Sequence, residues 1–257
     1  MKEAIKTMKA GKLEVYVFET REEMARAAYR RYVDRAGRYM AEKGRMRAIF
    51  AAAHSQDEFL ADLAADQVLD FSRIEAFHMD EYFGLAADAP QKFGHFLSVR
   101  LFDLKPFAGV NLIDSTQTDL AAECERYSAL LKAAPIDITS MGIGENGHVA
   151  FNDPNEARFD VPAVMRTTTL DDVCRMQQVH DGEFASLDEV PKCAYTLTVP
   201  TLMSSGSLVC IVPGEQKARA VERTVFGPVS TECPASILKE HPDAALFVDR
   251  AAAKYIL

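Results

Sequence analysis

Two segments of this sequence place ionisable side chains directly after an apolar run. The first, residues 77–85, reads FHMDEYFGL and carries His78, Asp80 and Glu81. A carboxylate that is held at the end of a strand and partly desolvated can act as a base toward a carbon acid. Because side chains alternate along a strand, Asp80 and Glu81 are expected on opposite sides and not both buried. The structural alternative is that one of them caps the following turn.

The second segment, residues 140–154, reads SMGIGENGHVAFNDP and follows another apolar run. Its glycines at 142, 144 and 147 let the backbone turn tightly and approach a ligand closely. His148 leaves this loop with Asn146 two residues before it and Asp153 five residues after it. Histidine takes up and returns a proton near neutral pH, and a neighbouring carboxylate or amide can fix its tautomer.

A phosphate or dinucleotide loop with a structural histidine is the alternative interpretation of this second segment. Its glycines match G-x-G-x-x-G, a pattern that is weak on its own. The match lies in the middle of the chain, and no helix-forming run with an acidic ribose partner follows it. The sequence therefore favours proton transfer by His148 over dinucleotide binding.

The elements that must position these segments are indicated by apolar runs alternating with longer amphipathic stretches. The runs, expected as strands, span residues 13–18, 47–53, 74–79, 136–141, 207–212 and 245–248. The amphipathic stretches, expected as helices, span residues 21–43, 57–69, 120–133 and 215–226. This alternation predicts a Rossmann-like α/β fold, in which a doubly wound, mainly parallel sheet has helices on both faces. Ligands bind beyond the carboxyl ends of the strands in such folds.

No repeat or linker divides the chain, so residues 1–257 are predicted to form one domain. The stretch 152–191 has scattered polar residues and no clear period, and we expect it to be a lid-like excursion from the core. The chain has 29 basic and 38 acidic residues, a formal charge of −9, which disfavours nucleic-acid or anionic-membrane partners. Five widely spaced cysteines without a CxxC pair indicate free thiols in a reducing cytoplasm rather than disulfides or a zinc site.

Together the two segments resemble the signature segments of the glucosamine-6-phosphate deaminase (isomerase) family. This family belongs to a larger group that includes 6-phosphogluconolactonases and sugar-responsive regulator domains. The similarity continues in the expected order through residues 190–192, 194–201, 212–220 and 234–242. The strings MDEY and GHVAFNDP point to the deaminase branch, because lactonases usually carry Asp-Glu-Arg where this chain has Asp-Glu-Tyr.

The resemblance implies an amino-sugar 6-phosphate as substrate, a ketose 6-phosphate and ammonia as products, and no metal or organic cofactor. By motif position, Asp80 resembles the base that moves a proton between C2 and C1. His148 resembles the group that opens the pyranose ring, assisted by Asn146 and Asp153. Many members carry Asp and Glu at these last two positions. Here Asn146 can orient but adds no charge, and Asp153 keeps its charge on a shorter stem.

The expected phosphate site departs from the family pattern. Members usually have a Gly/Ser/Thr-rich loop after the second strand, whereas residues 51–57 read AAAHSQD. Ser55 and Gln56 remain as donors, and a helix starting near Asp57 would direct its amides at an anion. The charge of Asp57 opposes this role.

Three further residues complete the expected substrate contacts. Gly144 lies in the glycine loop, and Lys217 matches the family's phosphate lysine, with an exposed helix lysine as the structural alternative. An arginine that is often present in the excursion is missing, and His180 is expected in its place.

Other functions within the same group remain open from the sequence. The first alternative is a deaminase for the C4 epimer, galactosamine 6-phosphate, and a less favoured one is a lactonase that acts by hydrolysis. A sensor that binds sugar phosphate without turnover normally adds a DNA-binding helix-turn-helix, for which about a dozen residues before the first strand are too few. Because only residues 250–257 follow the last strand, we expect a monomer or simple homo-oligomer without an allosteric site.

Overall fold

The computed structural model describes residues 3–257, which form eleven strands and seven α-helices. The strands are β1 (Lys6–Ala10), β2 (Leu13–Phe18), β3 (Met46–Phe50), β4 (Ile74–His78), β5 (Asp80–Tyr82), β6 (Gly109–Asn111), β7 (Ile138–Met141), β8 (Met165–Thr169), β9 (Cys193–Leu197), β10 (Ser207–Val212) and β11 (Ala244–Asp249). The helices are α1 (Arg21–Lys43), α2 (Asp57–Ala65), α3 (Phe93–Arg100), α4 (Leu120–Lys132), α5 (Asp172–His180), α6 (Val199–Met203) and α7 (Ala218–Phe226).

Eight strands of the described chain form one sheet in the order β1-β2-β11-β10-β7-β3-β4-β6. All neighbours in this sheet are parallel except β1 and β2, which form an antiparallel hairpin. Apolar side chains cover both faces, because alternate strand residues belong to two separate core clusters: Leu208, Cys210 and Val212 lie in one, Val209 and Ile211 in the other. The predicted doubly wound α/β fold is confirmed.

Helix α1 shows how local sequence signals set the boundaries of the elements. The side chain of Thr20 accepts a hydrogen bond from the amide of Glu23 at the start of the helix, and Gly44 ends it with φ of 76°. Between these caps, buried residues recur every four positions from Met24 to Met40 and cover one face of the sheet. The observed bounds, Arg21–Lys43, are those predicted.

The stretch 152–191 is more regular than predicted. It contains β8 and α5, and β8 pairs with β9, which in turn pairs with β5 to form a second, antiparallel sheet. The prediction failed because β8 has a single apolar residue, Met165, followed by one Arg and three Thr residues, and because the nine residues of α5 are too few to show a period. The second sheet begins at Asp80, directly after β4 leaves the main sheet.

The described chain contains no α-helix that is both long and apolar enough to cross a membrane. All five cysteines lie within the described residues and are free thiols, as their spacing predicted.

Candidate active site

An open cavity lies at the carboxyl ends of β3, β4, β7 and β10. Residues that follow each of these strands line it: Ala51 after β3, Asp80 after β4, Gly142 after β7 and Pro213 after β10. Helix α5 closes another side with Gln177 and two neighbours from the same helix end. The cavity therefore occupies the place where open α/β sheets bind ligands.

Asp80 faces this cavity from the first position of β5, with a relative exposure of 7%. Burial, and secondly the nearby charge of Glu81, raise the pKa of Asp80 well above its ordinary value. Among residues 3–257, no backbone or side-chain donor forms a hydrogen bond with its carboxylate. Its oxygens are therefore free to accept a proton from a molecule in the cavity.

The expectation that Asp80 and Glu81 are not both buried is wrong. The Glu81 side chain is fully buried and accepts hydrogen bonds from the amides of Tyr82 at 2.9 Å, Phe93 at 3.0 Å and Gly94 at 2.9 Å. The last two amides belong to the first turn of α3, where unpaired N–H groups stabilise a negative charge. Burial raises the pKa of Glu81 to about 7, although these amides act in the opposite direction. Glu81 is thus a capping residue.

His78, the third ionisable residue of this segment, has a structural role. It is fully buried, and its Nε2 accepts a hydrogen bond from the amide of Ile113 at 2.8 Å. Burial lowers the pKa of His78 to about 3, so the ring is neutral near pH 7.

The glycine loop brings His148 to the opposite wall of the cavity. A Cβ atom on Gly144 would lie 2.1 Å from Cε1 of the His148 ring and 2.3 Å from both ring nitrogens. Only glycine therefore lets the imidazole pack against this part of the loop. Gly147 has φ of 94°, and a Cβ atom there would also meet Cys233 Sγ at 2.7 Å.

Asp153 lies behind the His148 ring. Its Oδ1 is 3.0 Å from Nδ1 of His148, off the line of a well-aligned hydrogen bond, and its side chain is fully buried. Burial alone would raise the pKa of Asp153, but the contacts with His148 and Asn146 lower it below its ordinary value. The carboxylate is therefore ionised near neutral pH and occupies the Nδ1 side of the ring. This leaves Nε2 as the nitrogen available to a molecule in the cavity.

Cys174 makes this group the one cluster of potential metal ligands found in the described chain. Its Sγ, an oxygen of Asp153 and a ring nitrogen of His148 all lie within 4.8 Å of one another. Burial, followed by the charges of Asp153 and Asp171, raises the pKa of the Cys174 thiol well above its ordinary value. A metal would need the thiolate, whereas burial keeps this thiol protonated. The donor set fits a hydrogen-bonded group better than a metal centre.

Lys217 reaches the cavity from the turn between β10 and α7. It is 6% exposed, and no acidic oxygen in the described chain lies within ion-pair distance of its ammonium group. Burial lowers the pKa of Lys217, while the more distant charges of Asp181 and Glu145 act in the opposite direction. A buried cation without a close counter-ion, facing a cavity, is suited to bind an anionic group of a ligand.

The remaining predicted contacts differ in position. Ser55 lines the cavity, but Gln56 lies beneath the loop, where its amide nitrogen is 3.0 Å from Ser55 Oγ and donates to the carbonyl of Ile211 at 3.3 Å. His180 is exposed, with Nδ1 at 3.4 Å from Glu145 Oε1, and does not line the cavity. Neither residue therefore faces the cavity, because Gln56 bonds to the loop beneath it and His180 points to solvent.

Several polar lining residues were not predicted from the sequence. They are Arg21, His54, Gln177, Gln178, Asp181 and Gln216. His54 lies between two carboxylates, with Nδ1 2.7 Å from Asp57 and Nε2 3.1 Å from Glu183. Asp57 also pairs with Arg100 at 2.8 Å, so its charge opposes an anion less than the sequence suggested. Neither motif nor period distinguishes these residues, since their place depends on distant contacts.

An α/β enzyme is the class of protein that this sheet and this cavity define. The profile of the family described as glucosamine-6-phosphate isomerases and 6-phosphogluconolactonases matches residues 19–247, and the chain belongs to this family.

Curated relatives share more than a third of their aligned residues with this chain. A glucosamine-6-phosphate deaminase of Lactobacillus delbrueckii subsp. bulgaricus is 36% identical over 208 residues, which cover 80% of this chain and 86% of the relative. A glucosamine-6-phosphate deaminase of Streptococcus agalactiae is 38% identical over 185 residues, covering 72% and 77% of the two chains.

Solved structures of related enzymes have the same fold as this chain. A monomeric glucosamine-6-phosphate deaminase of the NagB superfamily superposes with a TM-score of 0.85 at 30% identity, covering 96% of this chain and 99% of that one. A 6-phosphogluconolactonase from Thermotoga maritima superposes with a TM-score of 0.76 at 18% identity, covering 93% and 100%. The second similarity concerns the fold alone.

Proposed function

We propose that this protein is an amino-sugar-phosphate deaminase/isomerase that converts glucosamine 6-phosphate to fructose 6-phosphate and ammonia. One observation carries the proposal: the buried Asp80 carboxylate, which accepts no hydrogen bond within residues 3–257, shares a cavity with a His148 ring backed by ionised Asp153. The curated relatives of this chain named as glucosamine-6-phosphate deaminases support the choice of reaction.

In the proposed mechanism, His148 first opens the pyranose ring. Its Nε2 accepts the proton of the C1 hydroxyl and donates a proton to the ring oxygen, while Asp153 holds the other ring nitrogen. Asp80 then removes the proton from C2 and returns it to C1, and the substrate ammonium group supplies the proton that the aldehyde oxygen needs. The resulting C2 imine is hydrolysed by one water, which releases ammonia and the ketose 6-phosphate.

Lys217 binds the phosphate group in this proposal, with Ser55 and the loop at Gly144 as further contacts. The phosphate is not altered in the reaction, so these residues contribute binding rather than proton transfer. Carboxylate and imidazole supply both proton-transfer groups, and the proposed reaction therefore uses no metal or organic cofactor. Dialysis against a chelator should leave the activity unchanged.

The proposal is tested by measuring ammonia release with purified protein. We expect equal amounts of ammonia and ketose 6-phosphate from glucosamine 6-phosphate, slower release from galactosamine 6-phosphate, and strongly reduced release from the closed pyranose after His148→Gln. Hydrolysis of 6-phosphogluconolactone without ammonia release from either amino sugar would contradict the proposal and indicate a lactonase. Saturable binding of glucosamine 6-phosphate without turnover would indicate a sensor.

We further propose a cytoplasmic protein that forms one domain and is a monomer or simple homo-oligomer. Free thiols, including the exposed Cys193, fit a reducing compartment. The solved deaminase that covers 96% of this chain is described as monomeric, which supports the simpler assembly. Light scattering coupled to size exclusion tests the assembly, and a single unfolding transition that is the same by two probes tests the single domain.

A further inference from the structure

The side chain of Asn146 connects two carboxylates behind the His148 ring. Its Nδ2 donates to Oδ1 of Asp153 at 3.0 Å and to Oδ2 of Asp171 at 3.0 Å. Its Oδ1 accepts a hydrogen bond from the amide of His148 at 2.9 Å. These three contacts fix the orientation of the amide, because a flipped amide would place its oxygen against two carboxylates and its NH₂ group against an N–H.

An aspartate at position 146 would remove both of these donated hydrogen bonds. It would place a third carboxylate beside Asp153 and Asp171 with no proton between them. The amide of Asn146 and the carboxylate of Asp171 are therefore a matched pair in this chain. Asp171 fixes one N–H of the amide, and the other N–H is then directed at the oxygen of Asp153 that lies against Nδ1 of His148.

Asp171 also ties this group to the helix that closes the cavity. Its Oδ1 caps α5 by accepting from the amide of Cys174 at 2.6 Å, and its own amide donates to Oδ2 of Asp153 at 3.2 Å. The same helix presents Gln177 and Gln178 to the cavity about one turn later. One residue thus contacts the first turn of α5, Asn146 and Asp153.

We propose that Asp171 is a positioning residue for ring opening, which acts through Asn146 and Asp153 on His148 and couples the start of α5 to this ring. The proposal rests on the ring-opening role of His148 in the proposed function. The proposal consists of three contacts in series: Asp171 accepts a hydrogen bond from Asn146, Asn146 donates one to Asp153, and Asp153 lies 3.0 Å from Nδ1 of His148.

Asp171→Ser separates positioning from helix capping. Serine is a good N-cap, so α5 keeps its cap, but the shorter side chain no longer reaches the amide of Asn146. Asp172→Ser is the matched control, because Asp172 is the next residue of the same turn, is 80% exposed in its side chain and pairs, among residues 3–257, only with Arg175. We expect Asp171→Ser to lower kcat about ten- to a hundredfold with KM little changed. The control should keep wild-type kcat.

An exchange of the two side chains gives a rescue test. Asn146→Asp alone should lower kcat at least as much as Asp171→Ser. In the double variant Asn146→Asp/Asp171→Asn, Oδ1 of residue 171 still caps α5, and its Nδ2 donates to the new carboxylate at 146. The hydrogen bond between residues 146 and 171 returns with its direction reversed, whereas the one to Asp153 does not, so we expect the double variant to regain only part of the lost kcat. A merely structural role of Asp171 would not produce this recovery.

Two results would overturn the proposal: equal kcat values for Asp171→Ser and Asp172→Ser, or a double variant no faster than Asn146→Asp. A measurement that does not depend on turnover tests the contact network independently of the proposed function. Nitrogen-15 NMR of the His148 ring should show one Nδ1-protonated tautomer in the wild type and a tautomer mixture in Asp171→Ser and Asn146→Asp. If the wild type releases no ammonia, the proposed function fails while these spectra still test the contact network.

Discussion

Replacing Asp80 with Asn should strongly lower kcat and stabilise the fold at the same time. The Asp80 carboxylate is 7% exposed, lies beside buried Glu81, and accepts no hydrogen bond within the described part of the chain. Burial, and then the charge of Glu81, raise its pKa well above the ordinary value. Over a range of pH, the folded protein therefore holds a proton at this carboxyl group that the unfolded chain has already lost.

The sign of the stability effect follows from this raised pKa. The protonated carboxyl group favours the folded state, so its contribution is complete below the ordinary aspartate pKa of about 3.9 and is lost as the pH rises through the folded-state pKa. Each unit of the rise corresponds to about 1.4 kcal/mol. Asn keeps the shape of the side chain without this charge, so the advantage of Asp80→Asn over wild type should be small near pH 4 and grow toward neutral pH.

At neutral pH we expect a gain of about 1–3 kcal/mol, the range for a buried polar group left without a partner. In a chain of this size, each kcal/mol corresponds to a rise in Tm of about 2–4 °C. Loss of the general base should at the same time lower kcat about 10²–10⁴-fold with KM little changed. Thermal melts across this pH range and ammonia release from glucosamine 6-phosphate measure the two effects on the same preparation.

Asp88→Asn is the matched control, because it makes the same chemical change at an exposed carboxylate eight residues away. It should change neither kcat nor the pH dependence of Tm. The reasoning is refuted if Asp80→Asn keeps more than about half of the wild-type kcat, since a general base contributes far more than twofold. It is also refuted if the Tm difference does not increase with pH.

Three other substitutions test the remaining parts of the site. Lys217→Met should raise KM for the 6-phosphate substrate about 10- to 100-fold with a smaller loss in kcat, because a charge-assisted hydrogen bond contributes about 1.5–3 kcal/mol. Exposed Lys192→Met is its control, and equal losses on a substrate without phosphate would place Lys217 elsewhere. Gly144→Ala should lower kcat about a hundredfold by displacing the His148 ring, whereas Gly37→Ala, where a Cβ meets nothing within 4 Å, should be neutral or stabilising. His148→Gln should strongly lower the rate of turnover for the closed pyranose but lower it much less for the open-chain substrate. Equal rate losses for both forms in single-turnover kinetics would contradict the ring-opening role.

The parts of the fold that the sequence predicted are those whose signals are local. The parallel strands are apolar on both faces, and α1 has a cap at each end, so a window of residues contains the whole signal. Helix α2 was predicted to residue 69 but ends at Ala65. The carboxylate of Asp66 accepts hydrogen bonds from the amides of Val68 and Leu69, and this local competition stops the helix.

The polar end of the cavity could not be predicted because its residues are positioned by distant contacts. Gln177 and Gln178 face the cavity only because α5 is held at Asp171 by Asp153, which lies 18 residues earlier in the chain. From the family resemblance, His180 on the same helix was predicted to contact the substrate. A helix turns 100° per residue, so a shift of two or three positions separates a side chain in the cavity from one in solvent.

The pair Asp80 and Glu81 shows why burial alone does not identify a catalytic carboxylate. Both are buried at the point where the chain passes from β4 in the main sheet to β5 in the second sheet. Glu81 accepts three amide hydrogen bonds, two of them from the first turn of α3, so the fold itself satisfies its charge. Asp80 accepts none among residues 3–257 and faces the cavity. A buried carboxylate without donors destabilises the fold when it ionises, and this is the cost expected of the free base that the proposed reaction needs.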